Sequence, residues 1–123
     1  MRQKDIYFMP LGGAQSVGRS CYYLRLGQSN ILLDCGLQRI NGASCFPDFL
    51  SLLTSQFMES MKQLDHVYIS HAHTDHVGYL PQLMQIAPQA SVYMTAQTKQ
   101  LAEYRLAANS SQQGAAEASR LLS

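Results

Sequence analysis

Hydrophobic residues are spaced in two ways along this chain, and the change of spacing near Phe46 predicts its elements. Before Phe46 they come in short runs punctuated by glycine. Ile6 to Met9 is a brief apolar run ended by Pro10, after which Gly12 and Gly13 open a polar loop that continues through Gly18 to Ser20. Cys21 to Leu26 and Asn30 to Leu33 are two further β-like runs, and Gly27, Gln28 and Ser29 between them predict a hairpin. The second run ends in Asp34-Cys35-Gly36. There the glycine is expected to permit the sharp turn that leaves the Asp34 carboxylate at the carboxyl end of a strand.

From Phe46 onward, Phe46, Phe49, Leu50, Leu53, Phe57, Met61 and Leu64 recur at steps of three and four, the stripe of one amphipathic packing helix. His66 to Ser70 reads as a buried strand. Leu80, Leu83, Met84 and Ala87 form a helical face, with Pro81 in its first turn and Pro88 at its exit. Ser91 to Met94 reads as a short strand and Thr95 to Ala108 as a helix, with Leu101, Tyr104, Arg105 and Ala108 on one face. This order predicts an α/β class: one layered domain over residues 1–108, without internal repeats. In residues 109–123 the composition shifts to Ser, Gln, Ala and Gly, a low-complexity tail that is disordered or helical.

Composition narrows the partners. At 123 residues with nine basic against eight acidic side chains, the chain has room for one modest core and no overall charge that would draw a polyanion. Nucleic-acid contact would need local charge. Cys21, Cys35 and Cys45 are an odd set at no zinc-knuckle spacing, which predicts reduced thiols that pack as small hydrophobes. No run approaches the roughly 20 apolar residues that span a bilayer, and Met1 to Asp5 lead into a strand-like run rather than a signal-peptide core. The expectation is a cytoplasmic protein with no membrane partner; oligomeric state stays open.

His71, His73, Asp75 and His76 lie within six positions between a predicted strand and a predicted helix, in a chain with only four histidines. Imidazole and carboxylate are the ligands that zinc and similar divalent ions take. In an extended loop alternate side chains point the same way, so His71 and His73 can converge on one ion. Asp75 and His76, after the chain turns, can address a second. Two such ions would polarise a substrate oxygen and hold a deprotonated water. The other readings of the loop are a hydrogen-bonded polar connection or a single catalytic histidine. His66, alone at the head of its strand, reads as structural.

Ser70-His71-Ala72-His73-Thr74-Asp75-His76-Val77-Gly78 resembles the HxHxDH signature of the metallo-β-lactamase superfamily, and Leu32-Leu33-Asp34-Cys35-Gly36 resembles its upstream aspartate motif. Leu11 to Cys21 looks like the opening loop of the β-CASP branch, which includes the cleavage-and-polyadenylation nuclease, and Tyr93 to Thr98 is similar to the stretch that follows the second motif there. The resemblance covers roughly residues 5 to 108. It implies the amino-terminal half of an αββα sandwich, a mixed β-sheet with flanking helices. It also implies zinc at two positions, one held by His71 and His73 and the other by Asp75 and His76, with Asp34 orienting the ligands. Asp34, Asp75 and His76 would carry the chemistry. Gly13, Gln15 and Arg19 belong to a loop that is either a strand connection or substrate-facing, with Arg19 a weak phosphate contact.

The implied activity is RNA phosphodiester hydrolysis by metal-bound hydroxide, with RNA as partner. A hydrolase of thioesters, lactones or lactams, or a catalytically dead binding module, are the other readings. The family also needs a later histidine, a bridging aspartate and a final histidine, yet after His76 the chain has no histidine and no aspartate. The expectation is therefore the amino-terminal part of a larger enzyme, with weak metal binding and little turnover by itself.

Overall fold

The structure is a computed structural model that describes residues 6–12, 19–40 and 43–109, apart from the side chains at 39, 40, 43, 44, 74, 75 and 105–109. Its frame is a five-stranded sheet in the order β1 (Ile6–Gly12), β2 (Cys21–Leu26), β3 (Ser29–Leu33), β6 (His66–Tyr68) and β7 (Ser91–Tyr93). The first three strands pair antiparallel; β3 with β6 and β6 with β7 pair parallel. Between β3 and β6 the chain forms a small separate hairpin, β4 (Gln38–Ile40) with β5 (Ala43–Cys45), then α1 (Phe49–Leu53) and a 3-10 turn at Met61–Gln63. Between β6 and β7 it forms α2 (Thr74–Val77) and α3 (Leu80–Ile86), and α4 (Ala96–Asn109) follows β7. Parallel neighbours require such crossovers. The mixed sheet with helices is the arrangement the sequence predicts.

The register puts Met9, Tyr23, Leu32, Val67 and Val92 in one row across the sheet. That face packs on Leu52, Met58, Leu64, Leu80, Leu83 and Ala102 to make one continuous core. A fully buried leucine such as Leu32 contributes about 1.5–3 kcal/mol by leaving water. The opposite row, Pro10, Tyr22, Leu33, Tyr68 and Tyr93, has no layer over it among the described residues, and Tyr68 stacks on Tyr93 at 4.8 Å between ring centroids. So β6 is buried on one face only, and the buried strand expected from His66 to Ser70 is corrected to His66–Tyr68 with Tyr68 exposed.

Three further expectations are revised. The strand expected to stop at Pro10 runs on to Gly12, because β1 is an edge strand where a missing N–H costs no ladder bond, and a bulge follows between Pro10 and Gly12. The single helix expected from Phe46 to Leu64 is broken. Asp48 caps α1 by accepting from the Ser51 N–H at 3.1 Å, and the Thr54 hydroxyl ends it by donating to the Leu50 carbonyl at 2.9 Å. Ser60 then opens a new capping box with Gln63. Short hydroxyl side chains outcompete helix continuation here, while the stripe still delivers Phe49, Met61 and Leu64 to the core. Among the described side chains of α4 the buried one is Ala102, whereas Leu101 and Tyr104 are 55% and 74% exposed.

At the amino ends of the parallel strands a polar cluster fixes the register. Tyr23 Oη donates to Asn30 Oδ1 at 2.5 Å, Asn30 N–H donates to Asp65 Oδ2 at 2.8 Å, and Asn30 Nδ2 donates to the Gln63 carbonyl at 2.9 Å. Arg25 joins them, donating from Nη1 to the Phe57 carbonyl at 2.8 Å. The predicted hairpin is present, with Gly27 at φ 58° in its two-residue turn, as a primed turn requires. No described helix is long and apolar enough to cross a membrane.

Candidate functional site

The site forms at the carboxyl ends of β3 and β6, where open α/β sheets place their ligands. Asp34 follows β3 directly and adopts a left-handed backbone, φ 65°. The sharp turn expected of Gly36 therefore falls on Asp34, because short polar side chains reach this region more readily than other non-glycine residues. Its N–H donates to the Tyr68 carbonyl at 2.8 Å, extending the β3–β6 ladder by one rung. Cys35 N–H then donates to the His76 carbonyl at 2.8 Å, and Tyr79 N–H donates to the Cys35 carbonyl at 3.0 Å. The aspartate turn is thus clasped to the histidine loop by the backbone alone.

Asp34 is buried, and its carboxylate gathers the loop. Oδ1 accepts from Ser70 N–H at 2.7 Å, and Oδ2 accepts from Ser70 Oγ at 2.7 Å and from His76 Nδ1 at 2.9 Å. Ser70 Oγ also lies 2.8 Å from His71 Nδ1. The direction of these bonds follows from the inventory of hydrogens. An ionised carboxylate only accepts, and a hydroxyl has one hydrogen. Ser70 Oγ–H is committed to Asp34, so it accepts from His71 Nδ1–H, while His76 Nδ1–H donates to Asp34. Both imidazoles are thereby held with the proton on Nδ1, which leaves Nε2 as the unprotonated ring nitrogen. Their ring centroids lie 4.6 Å apart at 38°. Ser70 is a site residue to which sequence reasoning assigns no role; its one signal is its place between the strand and the first histidine.

Ala72 is buried between exposed His71 and His73, so both histidines lie on the solvent side, as alternation predicts. The ring that packs on His71 is that of His76, brought round by α2, whose His76 and Val77 N–H groups both donate to the His73 carbonyl. Among the described residues no three His, Cys, Asp or Glu side chains are grouped as a metal would need. Asp75 has its backbone in α2 and its side chain outside the described residues, where Gly13, Gln15 and residues 110–123 also lie. The donors present fit zinc: two imidazoles presenting Nε2, one anchored on a carboxylate and one on a hydroxyl bonded to it. His66 sits apart, its Nδ1 3.3 Å from Tyr93 Oη on the open face of the sheet.

Around this loop Cys21 and Cys35 are fully buried thiols and Cys45 is partly exposed, none of them bonded to another. Burial, reinforced by Cys21 and the charge of Asp34, pushes the Cys35 thiol well above its ordinary range. Burial likewise raises the Tyr79 hydroxyl. Arg19 stands in a left-handed backbone, φ 37°, at a cost of about 1–2 kcal/mol for a side chain of its size. Gly12 admits it: a Cβ there would overlap the Arg19 carbonyl oxygen and stand 3.0 Å from its Cγ.

Comparison with known proteins agrees with this geometry. Residues 29–121 match the family of beta-lactamase superfamily domains. The chain is 41% identical over 97 residues to Integrator complex subunit 11 of Danio rerio, covering 77% of this chain and 16% of that protein. It is 38% identical over 91 residues to the transcription termination factor FttA of Methanocaldococcus jannaschii, covering 74% of this chain and 14% of that protein. The chain therefore spans about a sixth of the length of these relatives. Among solved structures, MEM-A1, a subclass B3 metallo-beta-lactamase from a soil metagenome library, superposes with TM-score 0.53 at 20% identity, over 78% of this chain and 32% of that one. The chemotaxis sensor ODP superposes with TM-score 0.55 at 22% identity, over 81% and 38%. These two likenesses speak for the fold. With both motifs clasped at one sheet end and three-quarters of the sequence matched, the chain belongs to the beta-lactamase superfamily.

Proposed function

We propose that this chain provides the first metal-ligand loop of a zinc-dependent phosphodiesterase that hydrolyses RNA. The observation that carries the reading is the relay from Asp34 through Ser70 to His71, and directly to His76, which fixes the proton of both imidazoles on Nδ1. His71 and His73 would hold one ion and Asp75 and His76 a second, with Asp34 as the orienting group. Bound zinc would supply polarisation of a phosphoryl oxygen and a water of lowered pKa. RNA as substrate rests on the similarity to Integrator subunit 11 and to FttA, together with the opening loop from Leu11 to Cys21. After His76 the sequence holds no histidine or aspartate, so completing two sites needs donors from outside these residues, and turnover by this chain alone is expected to be slight.

Zinc titration by calorimetry tests the core of this. Binding should be loose, no tighter than about 1 μM for so few ligands. His71→Ala and His73→Ala should each abolish it. Zinc affinity unchanged by both substitutions would overturn the assignment.

A further inference from the structure

Beside the histidine loop lies a concavity of about 350 Å³ lined by Arg19, Phe46, Pro47, Asp48, Phe49 and Leu50. Its volume is at the lower end of the roughly 300–1,000 Å³ typical of small-molecule sites. It adjoins the metal loop through shared backbone and rings. Gly36 N–H donates to the Ser20 carbonyl at 2.9 Å, next to Arg19, and Tyr79 stacks on Phe46 at 5.4 Å while bonded to Cys35. Asp48 N–H donates to the Leu11 carbonyl at 2.9 Å, so the far wall is tied to the end of β1.

Two features of this concavity point to a ligand. Arg19 Nε is the one buried side-chain polar atom that lacks a hydrogen-bond partner among the described residues, so the guanidinium is not fully engaged by the fold. Phe46 and Leu50 leave 54% and 73% of their surface exposed at the rim. An acceptor at the guanidinium of Arg19 and a flat apolar group for Phe46 would answer both.

We propose that this concavity is a subsite for one nucleotide of single-stranded RNA, with Arg19 on a backbone phosphate and the open side of Phe46 under the base. This rests on the RNA reading given above and extends it to a residue-level contact. The charges select the ligand. Asp48 puts one carboxylate in the concavity, its oxygens accepting from Ser51 N–H and Ser51 Oγ, opposite the single charge of Arg19. A phosphodiester with one negative charge suits that balance better than a doubly charged terminal phosphate. Aromatic stacking tolerates any base, so the subsite would take RNA without sequence preference.

The test is a titration of the ¹⁵N-labelled chain with hexameric oligoadenylate RNA in EDTA, followed by NMR, with adenosine and inorganic phosphate as separate probes. The RNA is expected to shift the Arg19 Nε–H and the amides from Phe46 to Leu50, and to bind more tightly than either fragment. Arg19→Asn keeps a residue that tolerates the left-handed backbone and removes the guanidinium; Phe46→Ala removes the stacking surface. Each should weaken binding about fivefold or more. Unchanged resonances of Val67 and Leu83 check that both variants remain folded. No binding, shifts confined elsewhere, equal affinity in both variants, or inorganic phosphate binding as tightly as the RNA would each overturn the subsite. Zinc titration of the same variants separates the two proposals. Lost RNA binding with zinc affinity intact locates the effect in the subsite, and failure of the histidine loop to take zinc refutes the metal reading alone.

Discussion

Replacing Asp34 by asparagine should reverse the relay that sets both histidine tautomers. Asparagine tolerates the φ of 65° at this position, so the backbone is left in place and only the chemistry of one atom changes. Oδ1 faces the Ser70 N–H, a donor, so the amide oxygen must take that position and the amide nitrogen must replace Oδ2. The nitrogen then donates to Ser70 Oγ and to His76 Nδ1. His76 Nδ1 must accept, which moves its proton to Nε2, and the freed Ser70 hydroxyl hydrogen turns to His71 Nδ1 with the same result. Both ligand atoms are thereby blocked.

The fold should lose little, about 1–2 kcal/mol, because three charge-assisted hydrogen bonds become neutral ones while none is deleted. Zinc affinity should fall about 10- to 100-fold, equivalent to about 1.4–2.7 kcal/mol. Two controls separate the terms. Asp34→Gly removes the carboxylate without backbone strain, and Asp34→Ala adds about 1 kcal/mol of left-handed strain to the same loss. Long-range ¹H–¹⁵N spectra of the imidazole nitrogens read the tautomers directly, and urea unfolding reads stability. If Asp34→Asn leaves His71 and His76 protonated at Nδ1, with zinc affinity within twofold of the parent chain, the relay as drawn is wrong.

Two other expectations can be checked on the chain as it stands. Gly12→Ala should destabilise the chain by about 1–3 kcal/mol in urea unfolding, since its Cβ would overlap the Arg19 carbonyl and force the end of β1 apart; unchanged stability would show that this close approach is not real. Iodoacetamide at pH 8 should modify Cys45 alone in the folded chain, because Cys21 and Cys35 are fully buried and Cys35 is held protonated well above its ordinary range. Raising the pH toward 9 should leave Cys35 unreacted until denaturant is added, with mass spectrometry counting one adduct before unfolding and three after.

What could be read from the sequence was whatever depends on neighbours close in the chain. The hairpin at Gly27, α3 with Pro81 in its first turn, and the histidine loop between a strand and a helix all rest on spacings of a few residues, and they stand as expected. The long helix from Phe46 failed because apolar periodicity says which residues reach the core and not whether Ser51, Thr54 and Ser60 will draw the backbone into caps. On α4 the expected shared face is open to solvent at Leu101 and Tyr104, the side chains of Arg105 and Ala108 lie outside the described residues, and small Ala102, which carries weak pattern signal, fits against the core. Arg19 was legible as a loop cation and weak phosphate contact but not as a left-handed residue, since the room for that backbone comes from Gly12 across the open end of β1.

The parts of the site that remained hidden are joined over long stretches of chain, and they depend on one register. Asp34 meets Ser70 across 36 residues and His76 across 42. Those contacts exist because Leu33 stands beside Tyr68 when β3 and β6 are paired as they are. A slip of one residue would move Ser70 about 3.3 Å along the sheet and turn Val67 out of the core. The pairing is secured at the other end of the strands. There Asn30 N–H reaches the Asp65 carboxylate, Asp65 N–H returns to the Asn30 carbonyl at 2.9 Å, and Ser91 N–H binds the Asp65 carbonyl at 3.0 Å. Among the described residues Asn30 and Asp65 make no hydrogen bond to the histidine loop, yet they set where Asp34 can meet it. A polar cluster that looks like simple satisfaction of buried groups is thus what determines whether the two metal-motif segments, separate in sequence, come within hydrogen-bond distance.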